Sequence, residues 1–154
     1  MRRWIAVTAL LAICLTATPA SASNRTPFEP IPLKGFVFPA GALCPFKLKV
    51  KPVISDEYIM TLPDGSALIT GALTVRLTDL DTGTSQVVNI SGPTRVSADG
   101  ATLIAYGPLL QPFFGDHPEL IFFHGRIVFS VDADGNATLV SQVGTSEDAC
   151  ALVG

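Results

Sequence analysis

Long apolar runs, basic clusters and helical periodicity are all scarce in this 154-residue chain, and each scarcity removes a class of function. The apolar segment Trp4 to Leu15 falls short of the roughly 20 residues that a membrane-spanning helix needs, so no membrane span is expected. No basic run or patch is available to neutralise phosphates, which makes nucleic acid an unexpected partner. No stretch carries apolar residues at helical spacing over a useful length, which argues against a helical bundle. Recognisable chemistry is missing too, because no GxSxG elbow, phosphate loop, zinc-protease motif or CxxC pair occurs. The residues therefore point away from catalysis, and neither a metal nor another cofactor is expected.

What is present begins with an export signal. Met1-Arg2-Arg3 is a short basic start, Trp4 to Leu15 is its apolar core, and Ala20-Ser21-Ala22 has the small-x-small form of a signal peptidase site. Residues 1–22 read as a signal peptide cleaved after Ala22, and the mature protein as secreted, extracellular or held in the cell envelope. Cleavage removes Arg2 and Arg3, leaving eight basic residues against 13 acidic ones, a net charge of −5. It also removes Cys14. The two remaining cysteines, Cys44 and Cys150, are 106 residues apart and most simply form a disulfide, as is usual in exported domains.

Residues 23–41 read as a Pro-rich arm. Pro27, Pro30, Pro32 and Pro39 remove amide donors, so no regular strand is expected there, although Phe28, Phe36 and Phe38 are free to fold back onto the domain. Residues 42–154 read as the secreted β domain. Its most legible stretch is Ile69 to Ile90: Ile69, Leu73, Val75 and Leu77 alternate with polar residues, Asp79 to Gly83 reverses the chain, and Val88 and Ile90 resume the alternation. Asp64-Gly65, Asp99-Gly100 and Asp134-Gly135 fall between apolar runs and mark further hairpins. Lys47, Lys49 and Lys51 read as the wet face of an edge strand. Leu120 to Val131 is a second long strand with Ile121, Phe123, Ile127, Phe129 and Val131 on one face, and a single helical turn capped at Thr145 would carry Cys150. Seven or eight antiparallel strands predict an all-β sandwich, with a small closed β-barrel as the alternative. Gly71 and Gly125 fall on the inward faces of the two longest strands, where a missing side chain permits a bend or a close approach.

Two places offer candidate ligand-binding groups. His124 and Arg126 share one face of the second long strand; with Tyr106 lining a barrel interior they would suit a small ligand or acid–base chemistry, and otherwise they decorate an outer face. Gly107 to Glu119 reads as a long apolar loop carrying Asp116, His117 and Glu119, whose spacing matches no recognised metal pattern. Asp132 to Asn136 resembles the start of a calcium loop, but the chain continues as a strand, so a hairpin turn is expected.

The segments FPAGALCPF, TLPDG, LTVRLTDLDTGTSQVVNISGP, FSVDADGNATLV and EDACALVG, taken in that order, resemble a group of small secreted actinobacterial proteins without an assigned function. The resemblance implies an exported all-β domain with a bridge between the FPAG-x-x-C and D-x-C segments, and carries over no catalytic residue. The leading expectation is a non-catalytic domain that binds an extracellular or envelope partner. The rival is a small-ligand barrel or barrel enzyme with its site at His124 and Arg126.

Overall fold

The structure, a computed structural model, describes residues 25–154, so the expected cleavage after Ala22 lies outside the described residues. The regular structure of the described residues is almost all strand: β1 (Arg25–Phe28), β2 (Phe36–Phe38), β3 (Leu48–Thr61), β4 (Ala67–Asp79), β5 (Ser85–Asn89), β6 (Thr94–Val96), β7 (Thr102–Phe113), β8 (Glu119–Val131) and β9 (Ala137–Asp148), followed by a 3-10 turn at Ala149–Leu152. All pairings are antiparallel and make one continuous sheet in the order β1-β3-β4-β6-β7-β8-β9, with β2 also on β3 and β5 also on β4. The two ends of the sheet do not pair, so the sheet is sandwich-like and open rather than a closed barrel.

Aspartates set the hairpin tips. The backbone N–H of Ser66, Asp81, Ala101 and Asp134 each donates to the side chain two residues earlier, on Asp64, Asp79, Asp99 and Asp132, at 3.0, 2.7, 3.0 and 3.0 Å. These are Asx turns, which reverse the chain with a side-chain acceptor in place of a backbone one. The Asp132 carboxylate also accepts from the Asn136 N–H at 2.8 Å and from its side chain, so the expected hairpin turn holds its own oxygens occupied.

The sheet folds over along a line of glycines. Gly107, Gly125 and Gly144 stand opposite one another on β7, β8 and β9. Gly125 and Gly144 have φ of 127° and 131°, open only to glycine, and a Cβ on either would run into the neighbouring strand's carbonyl. The bend is visible in the packing: Phe123 and Phe129, about 20 Å apart along a straight strand at 3.3 Å per residue, have ring centroids 6.1 Å apart. With Ile127 they form a core inside the fold of this ribbon. The opposite face of β8, through Leu120 and Phe122, joins a second and larger core with Leu73, Val75 and Leu77 of β4 and the buried Cys44–Cys150 bridge. Burial of both faces in the first half of β8 is what brings the two ends of the sheet together.

Several expectations need correction. Nine strands form rather than seven or eight, because the Pro-rich arm contributes β1 and β2 as short partners of β3; Pro27 is tolerated because β1 ends the sheet, where half the amides need no ladder partner. Lys49 and Lys51 therefore lie on an interior strand rather than an edge. Most of the expected loop after Gly107 is strand, with residues through Phe113 paired to β8. Its prolines escaped the sequence logic because Tyr106 N–H donates to Pro93 on the β6 side, and Pro108 and Pro112, in phase with Tyr106, turn their missing donors to that same side where β6 has ended. The C-terminal turn is capped by Asp148, whose side chain accepts from Cys150 N at 2.8 Å, rather than by Thr145.

Candidate functional site

An apolar cleft of about 560 Å³ opens between the arm and the folded sheet. Its floor is made by Val50, Leu73, Ile90 and Leu120, residues of the larger core, and its far wall by Leu109 and Leu110 of β7. Three phenylalanines stand in a chain at its mouth: Phe36 and Phe38 of β2 have centroids 6.2 Å apart, and Phe38 and Phe114 are 6.4 Å apart. Phe114, in the short turn between β7 and β8, is 68% exposed.

One carboxylate enters this apolar lining, and a backbone irregularity aims it. Leu48 and Val50 face inward at the start of β3, and strict alternation would turn the odd-numbered residues after them outward. The register shift between Pro52 and Ile54 leaves Val53 unpaired and reverses the phase, so Ser55 and Glu57 face inward. Glu57 lines the cleft and is only 8% exposed. Gly71 stands opposite it on β4, and with no side chain there the two backbones close up. No hydrogen bond or ion pair reaches the Glu57 carboxyl among the described residues, and the Ser55 hydroxyl on the same face is buried without a partner. Burial pushes the Glu57 carboxyl above its ordinary value of 4.5.

The pH dependence of stability follows from these shifts. Asp64 and Asp99 lie below their ordinary value of 3.8 chiefly through hydrogen bonds from the Ser66 and Ser97 side chains, and Asp132 through one from Asn136. At Asp79 burial raises the value, but bonds from the Thr82 hydroxyl and the Asp81 and Thr82 amides outweigh it. These four groups stabilise the fold above 3.8, and that contribution fades as pH falls through their lowered values. Glu57 has the opposite sign. Its folded form holds the proton more tightly than the unfolded chain, so a penalty grows from pH 4.5 upward and is complete above the raised value. Glu57→Gln is therefore expected to raise the melting temperature by a few degrees at pH 7 and to leave it nearly unchanged at pH 4; an equal gain at both pH values would contradict an ionisation effect.

The groups singled out in the sequence lie elsewhere. Tyr106 and Arg126 face each other across β7 and β8, and Pro108 faces His124. Tyr106, His124 and Arg126 are exposed on the outer side of the bend and take no part in the cleft lining; His124 rests its ring against Phe122 at 4.4 Å between centroids. Asp116 and His117 sit exposed in the turn beyond Phe114. Among the described residues no three His, Cys, Asp or Glu side chains gather as a metal site would require, and no helix is long and apolar enough to cross a membrane. Ser55 and Glu57 were missed because their inward direction depends on the bulge; Pro52 within an apolar run was the signal that a bulge was near. In comparisons with known proteins the chain matches no family model, and no curated protein or solved structure shows significant similarity to it.

Proposed function

We propose that this chain is a secreted, non-catalytic β domain that holds one largely apolar small molecule in the cleft beneath Phe36, Phe38 and Phe114. The observation that carries the reading is the cleft itself. A volume of about 560 Å³ lies within the 300–1,000 Å³ or so typical of ligand pockets and has room for roughly 20 non-hydrogen atoms at about 30 Å³ each. Apolar walls with a single acidic group suit binding of an apolar body, and supply no paired acid and base for chemistry. Export, the actinobacterial resemblance and an envelope setting agree with this role, since an exported carrier meets apolar molecules at the cell surface.

The test uses Nile red, a neutral apolar dye, with the oxidised protein. One dye per chain is expected, with enhanced emission. Ile69→Trp, which projects bulk into the cleft from β4, is expected to weaken binding by at least about tenfold, whereas Val140→Trp on exposed β9 leaves it unchanged. Dye binding that ignores Ile69→Trp, in a variant still folded by circular dichroism, would remove the cleft from consideration.

A further inference from the structure

We infer that the cleft selects an amphipathic cation: a ligand with an apolar body and one ammonium group, which Glu57 receives. The inference rests on the cleft being a binding site and adds what kind of head group it takes. Glu57 is more than nine-tenths buried and lines the cavity, and no protein partner meets its carboxyl among the described residues. A buried carboxylate in that state costs stability unless a counter-charge or donor meets it. The protein does not provide one. Arg25 on β1 turns to the other face of the sheet, with its guanidinium 4.6 Å from the centre of the Tyr58 ring, and no other titratable residue lines the cleft. Thr94, the other polar lining residue, already donates its hydroxyl to the Gly92 carbonyl at 3.5 Å.

An ammonium at Glu57 resolves this arrangement in two ways. It neutralises a carboxylate that burial has largely set apart from bulk water, so their attraction exceeds that of an exposed pair. It donates charge-assisted hydrogen bonds, about twice as strong as neutral ones. The aliphatic body then lies along Leu73, Ile90 and Leu110, and the phenylalanines at the mouth close over it. A carboxylate head is rejected by like charge, and an alcohol gains only a neutral bond.

The experiment titrates three probes of one chain length, decylamine, 1-decanol and decanoate, below their micelle concentrations at pH 7, by displacement of Nile red. Decylamine is expected to bind about tenfold more tightly than decanol, and decanoate more weakly than either. In Glu57→Gln the amine and the alcohol become equal within about twofold, while the dye still binds. Lowering the pH until Glu57 takes up its proton removes the amine's advantage and leaves decanol unaffected. Because the glutamine variant keeps the cleft and sheds the buried charge, it is expected to fold, and Glu57→Leu repeats the test without any polar group. Decanol binding as well as decylamine to the unaltered protein would overturn the cation assignment and leave the apolar cleft standing; failure of all three probes and of the dye would overturn both.

Discussion

Gly125→Ala is expected to lower the unfolding free energy by about 4 kcal/mol, near the top of the range for a single substitution. Two effects add. The backbone at φ 127° is strained for any residue with a Cβ, and the new methyl would fall on the Val143 carbonyl, within 3.1 Å of three β9 backbone atoms. Neither strand can retreat, because Phe123 and Phe129 already fill the inside of the bend. Gly135→Ala is the matched control. It has φ of 86° but nothing within 4 Å of the added carbon, so only the backbone term remains, about 1 kcal/mol. Urea denaturation of the two variants checks this, and equal midpoints would show that the glycine line does not bend the sheet.

Removing the disulfide is expected to cost a similar amount. Cys44 precedes β3, near one end of the sheet, and Cys150 follows β9, the other end, with Cα atoms 5.6 Å apart. The closed loop spans 106 residues, for which chain entropy alone gives about 4.7 kcal/mol. Both sulfurs lie in the larger core, so Cys44→Ala with Cys150→Ala is preferable to serine, which would bury two hydroxyls. We expect a loss of about 4 kcal/mol by urea denaturation; a loss under about 1 kcal/mol would mean that packing between Leu120, Phe122 and the β4 core holds the sheet ends without help.

The parts of the fold that were legible in the sequence are those governed by neighbours in the chain. The β4–β5 hairpin, the Asp-Gly turns and the apolar face of β8 follow from alternation and from side chains that bond two residues away. The pairing of the two cysteines also followed from their number. What was hidden depends on events at a distance. Burial of Phe122 on the face that also carries His124 requires β4 to lie over it, and nothing within β8 announces that. Gly125 was legible as a place for a bend, but Gly107 and Gly144 were not, and only the register of three strands makes the three a line. The cleft was the least legible feature, since the one-residue bulge in β3 decides whether Glu57 faces the cleft or the outer side of the sheet.

Strand β6 is the narrow place in the sheet, three residues long, and together with the segment just before it, where the Ile90 and Gly92 N–H groups donate to Leu73 and Pro108, it continues the hydrogen-bonded path from β4 to β7. On each side of it, strands of 12 to 14 residues pair with neighbours in sequence. In kinetic terms the chain is two sets of locally wired hairpins with a late joint between them: short loops close at low entropic cost, and the long-range docking that buries Leu120, Phe122 and the cysteines waits for them. Until that joint is made, the walls of the cleft belong to separate halves, so the pocket is among the last features of the molecule to come into being.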